Sequence, residues 1–364
     1  MHPPKIDVYA DLLLDYCARV AKGDVVALNV ETPAMPLARA LVRGVLSRDA
    51  IPRLHLTYPE WTQDLVACAG DGFLDSAPEI ELHEIRATDA YVRVAAPTNS
   101  RALQDADPQV LGRIESRQRP VQDHRVAHTR WVGTLFPTAS GAQDAGMSLD
   151  AFERFVFGAM HLDADDPVAA WGRVEARQAR LIERLAAANE VRIRNEHSDV
   201  RLQVGGRTWI NSAGRRNMPS GEVFTGPIED SAEGTIYFDV PSYVSGQVVR
   251  GVTLRFEAGQ VVEAHAEQGQ ALLDERLERD PGARRLGELG IGTNDAIHRP
   301  IGSTLYDEKI GGTVHLALGR SYAESGGTNQ SAIHWDLIAD LRRGGEVTLD
   351  GEPFQRDGRF VDEG

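Results

Sequence analysis

The first half of the chain alternates strand and helix signals in succession, and that alternation leaves few folds open. IDVYADLLLDYCARV (6–20) carries apolar residues at helical spacing, and GDVVALNV (23–30) reads as a buried strand opened by a Gly-Asp turn. PLARALVRGVLSR (36–48) is helical, RLHLTY (53–58) and AYVRVAAP (90–97) are strands, PQVLGRIESRQ (108–118) is helical, and RWVGTLFP (130–137) is a strand. Strands separated by helices predict a mostly parallel sheet. Such sheets bind ligands at the carboxyl ends of their strands. No GxGxxG or P-loop follows GDVVALNVETP, so a nucleotide site is not expected there.

The rhythm changes after residues 167–189, PVAAWGRVEARQARLIERLAAAN, which predict one long helix. Val168, Trp171, Val174, Leu181, Ile182 and Leu185 form its apolar stripe, and Pro167 suits its first turn. Beyond it, VRIRNEHSDVRLQVGGRTWINSAG, EGTIYFDVPSYV, QVVRGVTLRFEAGQVVEAHAE and EVTLDGEPFQRDGRF alternate with period two, with Ala-Gly and Asp-Gly turns between them. One helical stretch, QALLDERLERDPGARR, interrupts. The expected fold class is an α/β N-terminal domain with a mostly parallel sheet, residues 1–190. It is followed by an α+β, largely antiparallel C-terminal domain, residues 191–364.

Composition narrows the partners. The formal net charge of -15 argues against nucleic acid, which needs a basic surface. Cys17 and Cys68 stand in no metal-ligand spacing, and two cysteines are no disulfide framework. The N-terminus lacks a basic region followed by a long apolar core, and no run is apolar enough to span a membrane. The expectation is a soluble cytoplasmic protein. Asn329-Gln330-Ser331 is then an accidental match to the glycosylation pattern.

Polar residues gather in four segments of the second half: NMPSGEVFTGP with Glu222, RRLGELGIGTNDAI with Glu288, LYDEKIGGTVHLALGRSY with His315 and Tyr322, and SAIHWDLIADLR with His334 and Asp336. In a strand, His334 and Asp336 share one face while Trp335 takes the other. Glu288 sits in apolar company, so it has to be exposed, paired or bound to a cation. Three carboxylates and two imidazoles are a donor set for a pair of divalent cations such as zinc, cobalt, manganese or magnesium. Asp307, Glu308 and Lys309 read either as a solvated turn or as part of the site's lining. His265 and His298 read as surface or capping residues.

These segments resemble the M29 family of metallo-aminopeptidases, over roughly residues 190–364, and NVETPAMPLARALVRGVLSRDA and APTNSRAL extend the likeness into the first half. The resemblance implies a hydrolase that releases N-terminal amino acids from short peptides, working as a homodimer with two divalent cations (Zn, Co, Mn or Mg). It implies Glu222, Glu288, His315, His334 and Asp336 as metal ligands, with Glu288 bridging. It places Tyr322 beside the substrate as a donor to the oxyanion or the attacking water, and it leaves proton transfer to Glu222 or Glu288. The segment AESGGTNQSAI between Tyr322 and His334 is shorter than in the long forms of that family, which bears on substrate preference and oligomer contacts.

Two rivals are set against this reading. The fold also resembles ring-cleaving dioxygenases acting on 2,5-dihydroxypyridine, which hold one Fe(II) by two histidines and a carboxylate; His334 and Asp336 would supply two of those ligands. A purely structural metal is the other, but structural zinc sites are closed and cysteine-rich.

Overall fold

The structure, a computed structural model, describes residues 3–361 apart from residue 245. The chain forms two compact units: Met1–Ala170 with Gly214–Pro219, and Trp171–Ala213 with Ser220–Gly364. The sequence pattern alone puts the boundary near residue 190.

In the first unit, β1 (Val25–Glu31), β2 (Ile51–Thr57), β3 (Ala90–Ala95) and β4 (Arg130–Leu135) form a parallel sheet in the order β2-β1-β3-β4. The short strand Asn217–Met218 extends it in parallel beyond β4. Val26, Leu28 and Val30 of β1 and Leu37, Ala38, Leu41 and Val45 of the helix Met35–Ser47 are buried, as the expected βαβ packing requires. The first predicted helix runs from Pro3 to Asp11 and then widens over Leu12–Cys17, where the Ala18 N–H reaches the Leu13 carbonyl at 2.9 Å. The wider turn buries three consecutive leucines, Leu12 to Leu14, which one stripe of a regular helix would not. Strand β2 lies at the sheet edge and leaves Ile51, Leu54 and Leu56 exposed.

The second unit is antiparallel, as expected. Among the described residues, one sheet has nine strands and another has five. Three hairpins of the larger sheet turn at Ala258-Gly259, Asp350-Gly351 and Asp357-Gly358, with positive φ at both residues of each pair. That backbone matches the twist of the flanking strands. The smaller sheet runs His334–Asp340, Thr313–Gly319, Leu286–Gly292, Glu222–Thr225, Ile210–Ser212, with every pairing antiparallel. Leu289, Ile291, Val314, Leu316, Leu318, Trp335 and Leu337 alternate onto one of its faces. They share a core with Ile193, Val200, Ile236, Leu254 and Phe354 of the larger sheet.

The long helix spans Pro167–Ala187. Trp171, Leu181 and Leu185 are buried, but Val168, assigned to the same stripe, is 43% exposed. The buried row continues instead through Gln178, a polar residue that the apolar pattern passes over. The interrupting helix covers only Gln270–Leu277 and stops ahead of Pro281.

Candidate metal centre

The second face of the five-stranded sheet carries the chemistry. Strand alternation puts Glu288, Gly290 and Gly292 on this face of one strand, His315, Ala317 and Gly319 on the next, and His334 and Asp336 on the third. Glu222 opens the strand on the other side, opposite Gly292. The register places each donor across from a residue with little or no side chain. Glu222 faces Gly292, Glu288 and Asp336 face Ala317, His315 faces Gly290, and His334 faces Gly319. Room for the donors is thus built into the pairing. A Cβ at Gly290 would lie 2.0 Å from His315 Nε2, so any side chain there has to displace that imidazole. The ladder slips between Leu286 and Glu288, a bulge that turns Glu288 toward His315.

His315 Nε2 lies 3.1 Å from Glu288 Oε1 and 3.6 Å from Glu222 Oε2. His334 Nε2 lies 3.5 Å from Asp336 Oδ1 and 4.0 Å from Glu288 Oε2. Nδ1 of His334 is 2.8 Å from the Arg320 carbonyl; donating there orients the ring and leaves Nε2 facing the carboxylates. Three donor groups result, each with ligand atoms within 4.8 Å of one another: Glu222, Glu288 and His315; Glu288, His334 and Asp336; and Glu308, His315 and Asp336. Tyr322 borders them, its ring 5.0 Å from that of His334 and 5.9 Å from that of Phe224, and it stays 40% exposed.

The model of the thermophilic metalloprotease (M29) family matches residues 3–360. The chain belongs to that family. Aminopeptidase T of Thermus aquaticus is 32% identical to this M29 chain over 352 residues, covering 81% of it and 83% of the relative. Aminopeptidase 2 of Geobacillus stearothermophilus is 29% identical over 418 residues, covering 98% of both chains. Wild-type AmpT from Thermus thermophilus shares the fold, with a TM-score of 0.84 at 24% identity over 98% of this chain and 99% of the other.

The electrostatics of the M29 chain fit its family. Burial opposes a charged His315, but the hydrogen bond to Glu288 and the charges of Glu222, Glu288 and Asp336 outweigh it and raise its pKa to about 9. His334 is raised against burial in the same way, to about 10, by Asp336, Glu288 and the Arg320 carbonyl. Burial works against an ionised Asp336 as well, yet His334, His315 and Lys309 hold its carboxyl well below the usual range. Burial pushes Glu288 up, with His315 and His334 opposing. Burial, Glu288 and Asp336 raise the Tyr322 hydroxyl, which keeps it a protonated donor. Without metal, therefore, the imidazoles carry protons where the carboxylates call for positive charge.

Glu222 Oε2 and Asp336 Oδ1 are buried without a hydrogen-bond partner, a costly state that an oxygen-seeking cation would relieve. Buried carboxylates and imidazoles are ligands for hard or borderline divalent ions, so the residues present fit the metal the family implies. They do not fit the dioxygenase alternative. Among the described residues, none of the three donor groups joins both histidines to one carboxylate, and the relatives are peptidases. Among the described residues, no cysteine belongs to any of the three donor groups.

The charged turn before Gly311 is no solvated loop. Asp307 accepts from the N–H groups of Ile301, Gly302 and Ser303 at 2.8, 2.9 and 3.1 Å, and Lys309 is 0% exposed. Burial pushes Glu308 up to about 8, with Lys309 opposing. Gln178 is a residue that sequence reasoning missed. Its amide donates to the carbonyls of Glu222 and Ser212, and its oxygen accepts from Thr293 at 3.3 Å, which pins the Glu222 strand. A polar residue inside an apolar helical stripe was the available signal. His265 lies exposed on its strand, outside the centre.

Proposed function

We propose that this chain is a metal-dependent aminopeptidase that releases N-terminal amino acids from short peptides using two divalent cations. The observation that carries this reading is that two donor groups share Glu288. Glu222 and His315 complete one group, His334 and Asp336 the other, and Glu288 bridges them. When bound, such cations polarise the scissile carbonyl and bring the pKa of a water toward about 7.

The chain's own groups do the rest. The Tyr322 hydroxyl stands at the open side of the centre and donates a hydrogen bond to the developing oxyanion. Glu222 or Glu288 takes the proton of the attacking water and passes it to the leaving amine. The peptide-named relatives support the substrate class. A homodimer belongs to the same reading, supported by the apolar side chains that edge strand β2 leaves exposed, and sedimentation velocity tests it.

Activity is tested with metal-stripped protein, peptides bearing free or acetylated amino termini, and zinc, cobalt, manganese or magnesium added back. Release of the first residue from the free peptides alone is expected. Hydrolysis with none of the four ions, or equal cleavage of acetylated peptides, would sink the reading.

A further inference from the structure

An ammonium with no exposure has to be paired, and Lys309 is paired with the centre itself. Its Nζ lies 3.3 Å from Glu222 Oε1 and contacts the Glu308 carboxylate. The other oxygen of Glu222, Oε2, is the one that faces His315 and has no hydrogen-bond partner. Glu222 is therefore used asymmetrically, with one oxygen on an ammonium and the other turned to the donors. Its main chain is equally fixed, because Gln178 donates to its carbonyl. Lys309 has little freedom to follow a moving partner. Its N–H reaches the Tyr306 carbonyl at 3.0 Å, and its own carbonyl accepts from Asn294 at 3.0 Å.

We propose that Lys309 is a positioning residue of the metal centre. It occupies Oε1 so that Glu222 offers Oε2 alone to a cation, and Glu308 holds Lys309 in place. This rests on the metal centre proposed above. The bland alternative is that Lys309 and Glu308 are a buried ion pair whose only service is to each other.

Single substitutions confuse the two readings, since any change of local charge alters cation affinity whatever the geometry. Replacing both members leaves the sum of their charges unchanged. The double variant Glu308→Gln/Lys309→Met therefore reports on the orientation of Glu222. Metal-stripped wild type, Glu308→Gln, Lys309→Met and the double variant are titrated with Co(II). Affinity, the visible d–d spectrum and the melting curve are recorded.

Glu308 belongs to the third donor group, so Glu308→Gln measures what its own loss costs, and its spectrum is expected to change less than that of either variant lacking Lys309. The double variant is expected to show an altered spectrum and binding weakened by about 10- to 100-fold, the cost typical of losing a group that orients a ligand, and Lys309→Met is expected to share the altered spectrum. The double variant still unfolds cooperatively. Lys309→Leu, likewise unable to donate a hydrogen bond, takes the place of methionine if that side chain prevents folding. A double variant with wild-type affinity and spectrum overturns the proposal, as does Glu308→Gln alone reproducing the double variant's loss. Wild-type protein that takes up no Co(II) is a different result: it overturns the metal centre and this inference with it.

Discussion

Two histidine–glutamate pairs, one in each unit, show what separates a site from a contact. His55 Nε2 and Glu84 Oε1 lie 2.9 Å apart beside the parallel sheet, with Arg53 also reaching Glu84 at 3.2 Å. His315 Nε2 and Glu288 Oε1 lie 3.1 Å apart on the antiparallel sheet. The distances are alike, but the surroundings differ. The first pair keeps 37% and 28% of its side chains in solvent, and the second keeps 0% and 7%. Water screens the first pair, so its contribution stays within about 1 kcal/mol. The second is enclosed with Glu222, Asp336, His334 and Lys309, where charge cannot be left unbalanced. Proximity makes a pair, whereas enclosure with further donors makes demand for a cation.

The sharpest way to break this contrast is to remove the same charge from both pairs. Glu288→Gln is expected to lower peptide hydrolysis by more than about 100-fold, since it strips both donor groups. Glu84→Gln is expected to leave turnover unchanged and stability within about 0.5 kcal/mol. Wild-type rates in Glu288→Gln with full metal content would erase the distinction. Tyr322→Phe tests the open side of the centre. A fall in kcat of about 100-fold with KM little changed is expected, because the lost bond forms in the transition state; a change in KM alone would make the tyrosine a binding residue.

Gly290→Ala sharpens the packing half of the contrast. The added methyl collides with His315, so a loss of about 1–3 kcal/mol in thermal unfolding and weaker metal retention are expected. An unchanged melting curve and metal content would show that the ring has room to move.

The smallest expected effect is on pH. In the metal-free protein His315 and His334 have folded pKa values raised to about 9 and about 10. Their stabilisation is complete below the unfolded value near 6.5 and is lost as pH rises through 9 to 10. Cations compete with those protons. The rise in melting temperature on adding zinc is therefore expected to grow between pH 6 and pH 9, with proton release in weakly buffered solution. The same zinc shift in His55→Gln would keep that proton exchange in the second unit; its loss there would move it to the first.

Much of this arrangement is legible in the sequence where the period is short. His334 and Asp336 share a face because strands alternate, and the Ala-Gly and Asp-Gly pairs announce their hairpins. What stays hidden depends on long-range packing. Nothing local says that the turn at Asp307–Lys309 is enclosed, since its burial comes from Ile301–Ser303 and Asn294. The bulge at Glu288 is a matter of register with a strand some thirty residues on, which one strand's own pattern does not encode. Val168 leaves the stripe although Ala170 and Trp171 beside it are buried, and nothing in its local pattern distinguishes it from them.

The Gly and Ala residues facing the donors carry a consequence for how this family can vary. All five proposed ligands sit on strands, and their spacing is set by the backbone ladder, not by the loops between them. A connection that touches neither the strands nor their ends can then be cut short or lengthened without retuning the centre, much as a shelf keeps its height when the furniture around it is changed; residues 323–333 are not of that kind, since buried Asn329 donates to the Gly319 carbonyl opposite His334. Substrate preference and reaction chemistry become separable traits, open to independent change by evolution or by an engineer.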